Sequence, residues 1–192
     1  MGKWLAKIIF KIFGWSLDDH LKGSFNRCVM IAAPHTSNWD MIFARSAFYL
    51  MDIPVRFTVK KEWTRFPFGL FMNPLGAIAI DRSPKRPGEE KASMTDAMVD
   101  LFEHNKELVV LVAAEGTRSL RTKWRTGFYH IALKANVPIA LGYLDYKNKI
   151  AGIGKVINPT GDMQKDMKEI MIFYKDIPAK YPDKYSIDQD YV

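Results

Sequence analysis

Cysteine is nearly absent from this sequence: the 192 residues include only Cys28, so an internal disulfide is excluded. That usage fits a reducing compartment, and Cys28 is interpreted as a small core residue of its strand rather than a nucleophile. The sequence also lacks internal repeats, low-complexity tracts and an uncharged apolar run long enough to span a bilayer. A chain of this length is expected to form one domain whose core needs no covalent cross-links.

Apolar segments typical of buried strands alternate along the chain with segments of helical periodicity. The predicted strands are 28–33, 55–59, 76–80, 108–112, 137–145 and 149–156, and the predicted helices are 39–51, 89–105, 128–136 and 161–176. This alternation predicts an α/β fold with a mixed, largely parallel central sheet flanked by helices on both faces. The polar tail beyond Ile177 is expected to be loosely held.

The formal net charge of +7 indicates an anionic partner, and the N-terminal segment points to a membrane. Lysine recurs every four residues, on one stripe of a predicted helix, at Lys3, Lys7 and Lys11. With Trp4 and Trp15 near its ends, this helix has the composition of one lying in a lipid interface; a helix docked on its own core is the alternative. Charges within the apolar stretch argue against a signal peptide. We predict an amphipathic membrane-interface helix over 1–15 and one α/β domain over 16–192.

A histidine and an aspartate follow the first apolar strand, His35 in the connecting loop and Asp40 in the first turn of the next helix. Their spacing can bring imidazole and carboxylate within hydrogen-bond reach. An aspartate that holds one ring nitrogen leaves the other free to take a proton, which is the makeup of a general base. The alternative is a loop histidine and a helix aspartate that never meet.

Two further polar clusters follow apolar strands. Asp81 and Arg82 come after 76–80, and the segment Glu115-Gly116-Thr117-Arg118-Ser119 comes after 108–112. In an open α/β sheet, the carboxyl ends of parallel strands share one edge, and ligands bind there. The sequence therefore predicts a single site that contains all three clusters.

These clusters resemble the glycerolipid acyltransferases that include 1-acylglycerol-3-phosphate (lysophosphatidic acid) acyltransferase. His35 and Asp40 resemble the family's His-x-x-x-x-Asp (HX4D) motif, and the strand ending in Asp81-Arg82 resembles its second block. The segment 115–119 resembles the third block, and Val137-Pro138-Ile139 resembles the fourth. The four blocks occur in family order over positions 35–139.

The resemblance implies transfer of a fatty acyl group from acyl-CoA or acyl-ACP to a lysophospholipid hydroxyl, in phospholipid biosynthesis. His35 would deprotonate the alcohol, and Asp40 would orient His35. The implied substrate-binding residues are Asp81, Arg82, Glu115, Gly116, Thr117, Arg118 and Ser119, with the two arginines on the acceptor phosphate. Because a thioester is already activated, neither a metal nor a cofactor is expected. The acyl chains are expected to lie along the aromatic segment 63–72.

The expected partners are an anionic membrane surface, a lysophospholipid and the acyl donor, with no nucleic acid because the basic residues gather on no recognition helix. The expected location is peripheral or monotopic, on the cytoplasmic face of the cell membrane. Three alternatives stay open. The acceptor could be another lyso-lipid, such as an amino-acid lyso-lipid; the protein could be a thioesterase; or it could be a non-catalytic module that binds anionic membranes.

Overall fold

The computed structural model describes residues 2–80 and 93–192, so the predicted Asp81-Arg82 pair lies outside the described residues. The strands are β1 (Ser16–Asp18), β2 (Arg27–Ala32), β3 (Val55–Lys60), β4 (Ala77–Ile80), β5 (Leu108–Val112), β6 (Ile139–Asp145) and β7 (Ile150–Ile157). In the described residues they form one sheet with the order β1-β7-β6-β2-β5-β3-β4. The β6–β7 pair is antiparallel and the other pairs are parallel, so the predicted mixed, largely parallel sheet is confirmed.

The helices of the described residues match most of the predicted segments. They are α1 (Lys3–Phe13), α2 (Trp39–Met51), the short α3 (Gly69–Met72), α4 (Met94–His104), α5 (Gly127–Ala135) and α6 (Met163–Lys175). In the described residues the predicted helix 89–105 begins at Met94, because Ser93 has an extended backbone and its side chain accepts a hydrogen bond from the Asp96 amide. Such an N-cap starts the helix at Met94. Residues 89–92 of that prediction lie outside the described residues.

Side chains of β2 alternate between the two faces of the sheet, as the period of two requires. Val29 and Ile31 belong to a core covered by α4, α5 and α6. Cys28 and Met30 belong to a second core, covered by α1 and α2. Helices therefore flank both faces, as predicted, and Cys28 is fully buried.

Helix α1 is docked on the domain along one side and exposed along another. Ala6 and Phe10 are buried, whereas the side chains of Trp4 and Ile12 are 75% and 72% exposed. Trp15 is not an interfacial residue, because it is buried with its ring stacked on Phe43 at a centroid distance of 4.5 Å. In the part of the chain that is described, no helix has the length and apolar character needed to cross a membrane.

The predicted loose tail beyond Ile177 is wrong. The Trp124 amide donates to Asp188 Oδ2 at 2.9 Å, and the Trp124 indole N–H donates to the Ser186 carbonyl at 2.9 Å. Ile187 is buried in the core covered by α4, α5 and α6. The tail is held because its few apolar and acidic side chains find partners on the loop before α5.

Candidate active site

The central strand β2 and its two neighbours end side by side at one edge of the sheet. Ile31 of β2 is in register with Val112 of β5 and with Leu141 of β6, and both pairings are parallel. The segments that follow β2, β5 and β6 therefore leave the sheet at the same edge, which is the arrangement the sequence predicted for the first two.

The side chains of His35 and Asp40 are in contact. His35 Nδ1 lies 3.1 Å from Asp40 Oδ2, and the same oxygen accepts hydrogen bonds of 2.8 Å from the backbone amides of Thr36 and Ser37. The His35 side chain is 32% exposed and that of Asp40 is 5% exposed. With Nδ1 directed at the carboxylate, Nε2 is the ring nitrogen available to a substrate.

The second oxygen of Asp40 is held by a residue that the sequence pattern did not indicate. Tyr146, in the turn between β6 and β7, donates its hydroxyl proton to Asp40 Oδ1 at 2.5 Å. Tyr146 is 106 positions from Asp40 along the chain, and no motif surrounds it. The pairing of β6 with β2 brings the two residues close together in the fold.

The pKa of Asp40 lies below its usual value. Burial raises this pKa, but hydrogen bonds from His35, Tyr146 and the Ser37 amide outweigh burial because they favour the charged carboxylate. Asp40 is therefore an anion near neutral pH, beside the imidazole that it orients.

Glu115 contacts the histidine loop from the segment after β5. It is buried, and its Oε1 accepts a hydrogen bond of 2.7 Å from the His35 amide. Burial raises the pKa of Glu115 to about 7, against the opposing effect of that hydrogen bond. The folded protein therefore binds the carboxyl proton of Glu115 more tightly than the unfolded chain does. The stability that this proton contributes is fully present below the usual pKa of a glutamate and is lost as the pH rises to about 7.

The rest of the 115–119 segment is more exposed. Gly116 has φ of 69°, and a Cβ there would lie 2.6 Å from Arg125 Nε, so both the backbone and the packed guanidinium favour glycine. Thr117 Oγ1 accepts a hydrogen bond of 3.2 Å from the Ser119 amide, and Arg118 and Ser119 are exposed. The structure thus joins Glu115 directly to His35 and presents Arg118 to solvent from the same loop.

Two further basic residues, Lys123 and Arg125, follow this loop in the chain, and both have partners within the protein. Lys123 pairs with Asp190 of the tail at 2.8 Å, and Arg125 packs over Gly116. Among residues 2–80 and 93–192, no three His, Cys, Asp or Glu side chains are grouped so that they could hold a metal ion.

A cavity of about 430 Å³ opens beside His35 and Asp40. Most of its lining side chains are apolar; they include Met41, Ala44, Phe48, Val55, Phe57, Met98 and Leu111. The size is within the range of small-molecule sites, and the lining suits an aliphatic ligand. The aromatic segment 63–72, predicted to receive the acyl chains, contributes no residue to this lining.

Comparisons with known proteins agree with this architecture. The family model described as Acyltransferase matches residues 20–140. Among solved structures, the chain is similar to the crystal structure of the 1-acyl-sn-glycerophosphate (LPA) acyltransferase PlsC from Thermotoga maritima, with 16% identity and a TM-score of 0.58. That match covers 90% of this chain and 75% of the other, and at this identity the similarity concerns the fold. No significant match exists among curated proteins.

Proposed function

This chain belongs to the Acyltransferase family, and from that premise we propose that it transfers a fatty acyl group from a thioester to a lysophospholipid hydroxyl. The proposed donor is acyl-CoA or acyl-ACP, and the proposed acceptor is 1-acylglycerol-3-phosphate or a close relative. One observation carries the proposal: the His35–Asp40 pair lies at an apolar cavity of about 430 Å³. A base beside an apolar cavity suits a reaction between an alcohol and a long-chain acyl group.

In the proposed mechanism, His35 Nε2 takes the proton of the acceptor hydroxyl as the alcohol oxygen attacks the thioester carbonyl carbon. The Asp40 carboxylate stabilises the imidazolium that forms. When the tetrahedral intermediate collapses, the C–S bond breaks and the departing thiolate takes the proton from the imidazolium. The ester is then complete, and His35 is neutral again.

Backbone amides are candidates to stabilise the oxyanion of that intermediate. The amides of His35, Thr36, Ser37 and Gly116 already donate hydrogen bonds within the protein. In the described parts of the chain, the amides of Thr117 and Arg118 have no such acceptor. We therefore propose that the loop after Gly116 supplies the oxyanion donors.

The cavity is the proposed site of the donor's acyl chain. Its lining comes mainly from α2, β3, α4, β5 and β6, and burial of each methylene there would contribute about 0.8 kcal/mol. Segment 63–72 has a different proposed role, because Phe66 and Phe71 are exposed rather than turned towards the cavity. Such side chains suit contact with lipid beside the site.

Arg118 is the proposed ligand of the acceptor phosphate, with Arg82 as a second candidate outside the described residues. Arg118 is exposed, it lies three residues after Glu115, and no carboxylate within residues 2–80 or 93–192 pairs with it. A guanidinium can donate two parallel hydrogen bonds to phosphate oxygens.

We expect Arg118→Ala to raise the KM for the acceptor about 30-fold with a small change in kcat, because about 2 kcal/mol of charge-assisted hydrogen bonding is lost. Steady-state kinetics at saturating acyl donor measure both constants. Arg121→Ala is the control, since Arg121 is an exposed arginine of the same connection. An unchanged KM in Arg118→Ala, or an equal rise in both variants, would reject the assignment.

The proposed membrane contact is the exposed apolar side of α1, continued by α2. The ring of Phe13, at the end of α1, packs against the ring of Trp39 at a centroid distance of 5.7 Å. Trp39 directly precedes Asp40 in the chain. Trp4, Ile12 and Trp39 are exposed along this surface, and the lysines of α1 suit anionic headgroups. We propose peripheral attachment through this surface, on the cytoplasmic face of the cell membrane.

We expect Trp4→Ser combined with Ile12→Ser to weaken binding to anionic liposomes about 100-fold, because two apolar side chains lose about 3 kcal/mol of burial in lipid. Deletion of residues 1–15 is a poorer test, since Phe10 and Trp15 belong to the core. The control is Leu133→Ser with Ile172→Ser, two exposed apolar residues of α5 and α6. Liposome sedimentation that is equal for both double variants would exclude this surface.

One assay tests the proposed function as a whole. The purified protein is given a labelled long-chain acyl donor and a panel of lyso-lipids with phosphate, choline, glycerol and amino-acid headgroups. Labelled phosphatidic acid as the main product supports the proposal, and a labelled amino-acid lipid identifies the alternative acceptor. Free fatty acid without acylated lipid identifies a thioesterase. Liposome binding without any turnover identifies a non-catalytic module.

A further inference from the structure

Tyr146 lies in the turn between β6 and β7, outside the residues 20–140 that the family model matches. We infer that Tyr146 is a positioning residue for the proposed reaction and acts through Asp40. The inference rests on the proposed function, in which His35 is the base. It adds a residue to the site from a part of the chain that carries none of the family motifs.

The two oxygens of Asp40 have different tasks. Oδ2 faces His35 Nδ1 and the amides of Thr36 and Ser37, so the loop that carries the histidine fully occupies this oxygen. Oδ1 accepts its hydrogen bond from the Tyr146 hydroxyl, at 2.5 Å. Because Asp40 is buried, an Oδ1 without that donor would be a charged oxygen removed from water. The tyrosine therefore fixes the plane of the carboxylate and with it the direction of Oδ2.

The Tyr146 ring is held from several sides. Trp15 meets it edge-on at a centroid distance of 5.1 Å, and Phe43 does so at 6.1 Å. The Lys180 ammonium lies 5.4 Å from the ring centroid, and the Tyr146 amide donates to the Pro178 carbonyl at 3.2 Å. The hydroxyl is thus aimed by the core and by the C-terminal segment together. This bracing is what a positioning role requires.

The C-terminal segment also contacts the histidine loop directly. The Tyr181 amide donates to Thr36 Oγ1 at 3.3 Å, and the Lys180 ammonium lies 5.6 Å from the Trp39 ring centroid.

The Tyr146 hydroxyl stays protonated at neutral pH and can therefore donate. Burial, together with the hydrogen bond to Asp40, raises the pKa of Tyr146 above its usual value. Among residues 2–80 and 93–192, the ionisable groups that face the hydrogen-bonded residues His35, Asp40 and Tyr146 are Glu115, Lys180 and Tyr181.

The test is Tyr146→Phe, which keeps the ring contacts and removes the hydroxyl. We expect kcat to fall about 10-fold with KM unchanged, because the carboxylate loses its orientation. We also expect the acid limb of the pH–rate profile to shift to higher pH. Without the tyrosine donor, the Asp40 carboxylate carries more negative charge on its oxygens and favours the imidazolium form of His35. A kcat within two-fold of the unmodified protein and an unmoved acid limb would overturn the inference.

Tyr129→Phe is the matched control. Its hydroxyl donates to the buried Asp166 carboxylate at 2.8 Å, on the face of the sheet covered by α4, α5 and α6. We expect this variant to lose thermal stability while kcat and the pH profile stay unchanged. Equal losses of kcat in the two tyrosine variants would show a general stability effect and overturn the inference.

A double-mutant cycle with Asp40→Asn tests the route through Asp40. If Tyr146 acts through Asp40, Tyr146→Phe changes kcat less than two-fold in the Asp40→Asn background; additive losses would overturn the inference.

If Tyr146→Phe does not fold, Lys180→Met is used instead. We expect its kcat to be about 3-fold lower, and an unchanged kcat would contradict the inference. Full activity of His35→Ala would reject the proposed function, whereas a silent Tyr146→Phe beside an inactive His35→Ala rejects this inference alone.

Discussion

His35→Ala is expected to lower kcat for acyl transfer by about 1,000-fold while the fold is retained. A positioned general base contributes about 100- to 10,000-fold to a rate, and His35 Nε2 is the proposed proton acceptor at the cavity. The rate is measured with a labelled acyl donor and lysophosphatidic acid, and circular dichroism with thermal unfolding confirms the fold. KM for the donor is expected to change little, because the imidazole contributes little to binding of the acyl chain.

His20→Ala is the control for this experiment. His20 Nδ1 also contacts an aspartate, Asp18, but this pair lies at β1, on the edge of the sheet, and His20 is exposed. A histidine–aspartate pair outside the proposed site is expected to be silent in the assay. If His35→Ala kept more than a tenth of the original kcat, the proposed base would be wrong. If His20→Ala lost as much activity as His35→Ala, the loss would have another cause.

Ala44→Phe is expected to reduce kcat/KM for a long-chain donor about 100-fold and to leave a short-chain donor nearly unaffected. Ala44 lies on α2 and lines the cavity, so a phenyl ring there would fill space proposed for the acyl chain. Exclusion of about four methylenes costs about 3 kcal/mol, which corresponds to that factor. Palmitoyl-CoA and butyryl-CoA, compared in one assay, measure the ratio.

The matched variant is Ala135→Phe, a half-buried alanine of α5 that does not line the cavity. It tests whether any added ring on a helix lowers activity through strain. We expect its ratio of long-chain to short-chain activity to equal that of the unmodified protein. An unchanged ratio in Ala44→Phe would mean that the acyl chain lies elsewhere, with the exposed segment 63–72 as the first place to examine.

The proposed site depends on both local and distant residues, and these differ in how well the sequence predicts them. The His35–Asp40 contact was predictable because only four residues separate the pair and both belong to one strand–loop–helix connection. Glu115 was predictable as a neighbour, because β5 has the apolar pattern of a buried parallel strand. Tyr146 was not predictable, since its place depends on β6 lying beside β2, and nothing in a tyrosine after a strand indicates an aspartate partner.

The predicted membrane-interface helix shows the same difference between local and distant residues. The lysine and tryptophan pattern of residues 1–15 predicted the helix, and Trp4 is exposed as that pattern requires. The pattern failed for Trp15, because a side chain just beyond a helix can turn towards either solvent or core. Trp15 faces the core because its ring stacks on Phe43, and no local sequence feature encodes that contact.

The sequence alone determined most of the strands and helices, the two-faced core and the residues of the strand-end loops, because these follow from local apolar periodicity and short connections. The three-residue strand β1 was not predicted. The tertiary structure decided which loops meet, where the cavity lies and what holds the second oxygen of Asp40. It also decided that the tail is fastened rather than loose. These features depend on contacts between segments far apart in the chain, whose partners are chosen by packing of the whole domain and not by the pattern of either segment.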